Sequence, residues 1–152
     1  MEQAHILVDA DACPVKDEIY KVAFRRNIAV TVVSNSFLRI PDHPLIARLA
    51  VGDAFDAADD AIAERAGAKS IVITGDILLA ERCLKKGAAV IAPNGKPFTK
   101  DSIGSAIAAR AIMADLRAGA EVSGAAGPAP FTKQDSSRFL QALDEALVRL
   151  ER

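Results

Sequence analysis

Tryptophan is absent from the 152 residues, tyrosine occurs once, and aromatic side chains make up only 5% of the chain. An aromatic platform for stacking single-stranded bases is therefore not expected. Cysteine occurs twice, at Cys13 and Cys83, with no Cys-x-x-Cys pair. That spacing fits neither a disulfide framework nor a zinc site, so a reduced, cytoplasmic protein is the expectation. The two histidines, His5 and His43, are isolated in the sequence, and each reads as structural rather than as a ligand or base. The longest apolar runs, Ser70 to Thr74 and Ala88 to Pro93, are far shorter than the ~20 residues that cross a bilayer. No signal peptide is visible, and no membrane partner is expected.

What is present is a chain with 51% hydrophobic residues, thirty of them alanine. Its length suits one globular domain over residues 1–152, with small-residue helices packed on branched strands. The formal charge of −1 conceals a division: residues 1–76 carry 8 bases and 12 acids, residues 77–152 carry 11 bases and 8 acids. The basic half suits a polyanion.

Apolar runs alternate with helical patterns. Strands are predicted at His5 to Val8, Ala29 to Val33, Leu45 to Val51, Ser70 to Gly75 and Ala88 to Ala92. The Ile/Val run Ser70 to Gly75 is apolar on both faces, as a central parallel strand covered by helices should be. Helices are predicted at Pro14 to Arg26, Asp56 to Ala66, Ile77 to Lys86, Asp101 to Leu116 and Gln134 to Leu150, with a tight turn at Asn94-Gly95. The Gly- and Pro-rich stretch 119–130 reads as a flexible connection. Strands separated by helices imply a three-layer α/β/α sandwich around a mainly parallel sheet. In such sheets ligands bind beyond the carboxyl ends of the strands, where strand order reverses.

At those carboxyl ends lie Asp9 and Asp11 after the first strand, Ser34 and Asn35 after the second, and Asp76 after the Ile/Val run. Asp56, Asp59 and Asp60 share one face of a helix start. Two ionised carboxylates ~5 Å apart repel by roughly 3 kcal/mol at an effective dielectric near 20, so convergence of these acids calls for a proton or a cation. Oxygen ligands without paired His or Cys select Mg²⁺ or Mn²⁺, the usual apparatus of phosphate chemistry. The candidate metal ligands are Asp9, Asp11, Asp56, Asp59, Asp60 and Asp76, and the candidate catalytic residues Asp9, Asp56 and Asp76. Lys16, Ser34, Asn35, Lys96 and Arg138 are candidates for substrate contact.

Plainer readings exist for each. Asp56 and Asp59 also look like a helix cap with an acid three residues on, Asp76 like the cap of the next helix, and Asp11 like a cap of the Pro14 helix. Cys13 sits where a helix dipole would lower a thiol pKa, yet lacks a placed base and reads better as a small packed residue. Lys16, Lys96, Lys100, Lys133 and Arg138 read equally as solvated surface.

Asp-Ala-Asp-Ala-Cys-Pro-Val-Lys at 9–16, Ser34-Asn35, Asp56-Ala-Ala-Asp-Asp60, Thr74-Gly-Asp76 followed by Leu79-Ala80, and Gly127-Pro128 ahead of Phe131 resemble the YaiI/YqxD family of uncharacterised bacterial proteins. The resemblance covers nearly the whole chain. The family is similar to PIN-like nucleases, whose acids follow the first and fourth strands and start an intervening helix. By position this implies Asp9, Asp76 and Asp56 or its neighbours Asp59 and Asp60 as metal ligands, with Asp11 in support. One departure is visible: the family pattern places Arg directly after the Asp that opens the last helix, whereas Asp135 is followed by Ser136, Ser137 and then Arg138.

The expected function is a Mg²⁺- or Mn²⁺-dependent phosphodiesterase, a nuclease on RNA ahead of DNA. A pI near 6.1 argues against tight nonspecific duplex binding. Two alternatives remain. In a phosphatase of the haloacid-dehalogenase type Asp9 would be the nucleophile and Asp11 the acid/base; a non-catalytic PIN-like module would hold RNA or protein. The oligomeric state is left open.

Overall fold

In the computed structural model of the chain, residues 4–10, 13–35, 38–52, 57–119 and 131–151 are described, 110–119 and 151 by their backbone alone. The elements run β1 (His5–Asp9), α1 (Lys16–Arg26), β2 (Ala29–Ser34), β3 (Ile46–Ala50), α2 (Ala57–Arg65), β4 (Ser70–Ile73), α3 (Ile77–Lys85), β5 (Ala89–Ile91), β6 (Pro97–Phe98), α4 (Lys100–Gly119) and α5 (Lys133–Glu151). The six strands form one sheet in the order β3-β2-β1-β4-β5-β6, parallel except for the β5–β6 pair.

Side-chain alternation along the central strands builds the two covering layers. Ile6 and Val8 of β1, Val30 and Val32 of β2, and Ile71 and Ile73 of β4 pack with Ile19, Val22 and Ala23 of α1 and Phe139, Leu143 and Leu147 of α5. Leu7 and Val72 point the other way, to Ile62 and Ala63 of α2, Leu79, Ala80 and Cys83 of α3, and Ile103 of α4. The result is the expected α/β/α sandwich. Each fully buried Leu, Ile or Phe contributes about 1.5–3 kcal/mol of burial free energy. The chain steps from β1 to β2 in one direction and from β3 through β4 to β5 in the other, so connections of one handedness put α1 and α2–α3 on opposite faces.

Local signals explain most boundaries. In α1 the acids Asp17 and Glu18 open the helix and Arg25 and Arg26 close it, both favourable to the helix dipole. Its first backbone bond runs from the Ile19 N–H to the Val15 carbonyl, so Pro14 and Val15 form a turn ahead of the helix rather than its first residues. Asn27 ends it in the left-handed conformation, φ 59°. Both arginines reach Asp144 of α5, at 2.6 and 3.1 Å, which ties the two helices of that layer together.

β6 was not foreseen from sequence. Two residues carry no periodicity, and Pro97, which lacks an N–H, suits only an edge. The turn at Asn94-Gly95 joins it to β5. Gly95 has φ +91°, and a Cβ there would stand 2.6 Å from the Arg138 carbonyl carbon of α5, so only glycine lets this turn rest on the helix. The predicted connection 119–130 begins at the last residue of α4 and otherwise lies outside the described residues.

Candidate active site

β1 and β4 lie side by side in register from His5 opposite Ser70 to Val8 opposite Ile73. The next residues on each, Asp9 and Thr74, continue the alternation of Leu7 and Val72 and so share a face. The Thr74 hydroxyl donates to Asp9 Oδ2 at 2.8 Å, and its oxygen accepts the Asp76 N–H at 3.0 Å. Asp76 Oδ1 in turn accepts from the Leu78 and Leu79 amides at 2.9 and 3.2 Å, as the N-cap of α3. Asp76 Oδ2 has no protein partner among the described residues. Asp9, Thr74 and Asp76 thus form one hydrogen-bonded chain across adjacent strand ends. The polypeptide leaves β1 toward α1 on one face and β4 toward α3 on the other, so this chain spans the point where strand order reverses and a crevice opens.

The other acids are placed differently. Asp60 pairs with Arg82 of α3 at 3.0 Å, both side chains about half exposed. Arg82 lies six residues beyond Asp76, or about 9 Å along the helix. Asp59 is close enough to Cys83 to raise its thiol pKa. Asp11 and Asp56 lie outside the described residues. Among the described residues no group of three or more His, Cys, Asp or Glu side chains converges on one point.

Lys16, the first residue of α1, reaches back to the Ala10 carbonyl at 3.5 Å. Its charge therefore sits by the end of β1, against the unfavourable helix dipole. Cys13 beside it is buried, and burial pushes its thiol up, with smaller opposing influences from the Val15 backbone bond and Lys16; this is a packed residue, not an activated nucleophile. Ser34 ends β2 fully buried, while Asn35 at the following bend is exposed. His5 Nε2 lies 3.1 Å from Ser70 Oγ, and His43 Nδ1 accepts the Leu45 amide, both structural engagements.

A cleft of about 1040 Å³ adjoins the acid chain. Gly75 and Ile77, the neighbours of Asp76, line it together with Phe98, Lys96, Phe131 and the α4 residue Ser105. Lys96 also lines a second cleft of about 660 Å³ on the α5 side, with Arg138 and Arg149. Arg138 lies 3.6 Å from Asp135 and is 67% exposed.

Sequence reasoning did not single out Thr74, Phe98 or Phe131. Thr74 carried a usable signal: a buried polar residue ends an otherwise apolar run and must find a partner. The low aromatic content argues against a stacking surface, yet two of the six phenylalanines line the cleft beside Asp76.

These features define an open, mainly parallel α/β protein with a crevice at its switch point. Residues 7–149 match the family described as "Uncharacterized BCR, YaiI/YqxD family", and the chain belongs to that family. It is 70% identical over 147 residues to a UPF0178 protein of Sphingopyxis alaskensis, covering 97% of this chain and 95% of that one. A UPF0178 protein of Nitrobacter winogradskyi is 59% identical over 152 residues, 100% and 96% of the two chains. No solved structure matches. Among the described residues no helix is long and apolar enough to cross a membrane.

Proposed function

We propose that the protein is a divalent-metal-dependent phosphodiesterase acting on nucleic acid, RNA ahead of DNA, with Asp9 and Asp76 as the described ligands for Mg²⁺ or Mn²⁺. The observation that carries this reading is the Asp9–Thr74–Asp76 chain at the switch point. The donor set fits the ion: hard oxygens alone, and Mg²⁺ is commonly held by one or two carboxylates with water completing its octahedron. Asp11 and Asp56 are the expected additional oxygens.

The residues divide the work as follows. The Thr74 hydroxyl fixes the orientation of the Asp9 carboxylate by occupying Oδ2. The cap fixes Asp76 through Oδ1 and leaves Oδ2 to face a cation. Lys16 and Lys96 bring positive charge to either side of this pair for the phosphate oxygens of a substrate. Asp9 and Asp76 would hold the dication, which would supply charge neutralisation at the phosphoryl group and an activated water. The resemblance to PIN-like nucleases supports the same assignment.

One observation favours a second reading, a non-catalytic binding module: Asp76 already has a structural task as the α3 cap. Asparagine caps a helix as well as aspartate does, so Asp76→Asn separates the two. Calorimetric titration of Mn²⁺ and cleavage assays on RNA and DNA panels are the test. The wild type is expected to bind Mn²⁺ and cleave, with Asp9→Asn and Asp76→Asn folded but inactive. A wild type that neither binds Mn²⁺ nor cleaves either panel overturns the proposal in favour of the binding module.

A further inference from the structure

The cleft beside Asp76 has more than the phosphate chemistry of the rim requires, and we infer that it is a nucleobase pocket, which takes one unpaired base while the attached phosphate rests at the acid chain. This rests on the phosphodiesterase reading and names its substrate class: a nucleic acid whose base is free to leave the stack, or a short oligonucleotide.

Four observations converge. The cleft begins at Gly75 and Ile77, on either side of Asp76, so an occupant lies within one nucleotide of the acids. Its volume of about 1040 Å³ slightly exceeds the range typical of small-ligand sites, about 300–1,000 Å³, and so leaves room for a base. Its walls present Phe98 and the 39% exposed Phe131. An exposed phenylalanine at a cleft is the residue on which a base of any sequence stacks. Lys96 in the lining has no acidic partner among the described residues, and its ammonium complements a phosphate. A base inside a duplex keeps both faces covered by its neighbours and enters such a cleft only after being unstacked, which costs a few kcal/mol; an unpaired base enters without that cost.

Polar groups are few and set for edge recognition. Asn94 Oδ1 is taken by the Lys96 amide, which turns the carboxamide NH₂ outward as a donor. Ser105 lines the α4 side with an exposed hydroxyl. The occupant is therefore a flat, hydrogen-bonding ring with an anionic tail, and a nucleotide has that combination.

The test is metal-free, so that it does not depend on catalysis. In EDTA, the four 5′-mononucleotides, ribose 5-phosphate and inorganic phosphate are titrated into the full chain and followed by amide NMR shifts. At least one nucleotide is expected to shift the amides of residues 96, 98, 102–106 and 131, and to bind at least tenfold more tightly than ribose 5-phosphate. Phe131→Ala is expected to lose about tenfold in that affinity. Phe98→Leu, which keeps the packing of a half-buried side chain, should lose several-fold, and both variants should keep the wild-type Mn²⁺ affinity. Equal binding of ribose 5-phosphate and nucleotides, or shifts confined to other surfaces, overturns the base pocket. If that happens while Mn²⁺ still binds through Asp9, the phosphodiesterase reading survives alone. If nucleotides bind as expected but Mn²⁺ does not bind, the pocket stands and the phosphodiesterase reading falls.

Discussion

Aspartates gather at two places on the α2–α3–α4 side of the sheet, and their surroundings differ. At the ends of β1 and β4, Asp9 and Asp76 are held by a threonine hydroxyl and by backbone amides, and among the described residues no cation pairs with Asp76. On α2, Asp60 has swung onto the guanidinium of Arg82. A strand end delivers a carboxylate to a fixed point, where hydroxyl and amide donors orient it. A helix surface delivers it to solvent, where the nearest cation takes it. The first arrangement is the one we propose as a metal site; the second is a surface ion pair worth about 0–1 kcal/mol.

The sharpest way to break this contrast is to neutralise one acid from each place. Asp9→Asn should lower Mn²⁺-dependent cleavage by about a hundredfold or more, beyond the 10–100-fold typical of residues that merely support a ligand. Asp60→Asn should leave cleavage within about twofold. Steady-state assays on one RNA substrate, with circular dichroism to confirm folding, decide it; equal losses in both variants would erase the distinction.

The two cysteines extend the contrast to pH. Cys83, fully buried beneath the Asp59 side of α3, has its thiol pushed up to about 11 from 9.0 by burial, with the charge of Asp59 adding to the rise and Arg82 opposing it. The folded protein therefore holds this proton where the unfolded chain has released it. Between pH 9 and 11 the unfolded state binds fewer protons, so stability falls as pH rises, by roughly 2–3 kcal/mol across the window, and is fully present below pH 9. Urea unfolding at pH 8 and pH 10.5 should show the loss, and Cys83→Ala should reduce it. An unchanged slope in that variant would place the titrating group elsewhere.

Much of this contrast was legible before any coordinates. The apolar runs mark β1 and β4, and a parallel sheet sends the residues after them to one edge, so the placement of Asp9 and Asp76 at neighbouring strand ends follows from pattern alone. The fate of Asp60 did not, because its partner Arg82 lies on another helix, and the packing of α2 on α3 is set by which Ala and Leu faces interlock. β6 escaped because two residues have no period. The cleft escaped because its walls come from β6, α4 and the start of α5, brought together only by tertiary packing. Thr74 stands in the same motif as Asp76, and its hydroxyl joins the Asp9 carboxylate to the Asp76 backbone N–H.

That link gives a third test. Thr74→Val keeps the shape of the side chain but removes the donor to Asp9 and the acceptor for the Asp76 amide. Leaving such groups unpaired costs about 1–3 kcal/mol. Chemical denaturation should show this loss, together with weaker Mn²⁺ binding as the Asp9 carboxylate loses its fixed orientation. Thr74→Ser, which retains the hydroxyl, should recover most of both.

The smallest effect separates charge from capping at Asp76. Its Oδ1 satisfies two of the amides that open α3, and replacing a good cap by alanine typically costs about 1 kcal/mol. Asparagine keeps the cap oxygen and removes only the charge. Asp76→Ala should therefore lose about 1 kcal/mol in urea melts, while Asp76→Asn stays near wild type in stability and both lose Mn²⁺ affinity. Asp60→Ala supplies the reference from the other place: a stability change under about 1 kcal/mol and no change in metal binding. If Asp76→Asn instead bound Mn²⁺ like the wild type, its oxygen toward the crevice would serve no ion, and Asp76 would be a cap in the same sense that Asp60 is a surface charge.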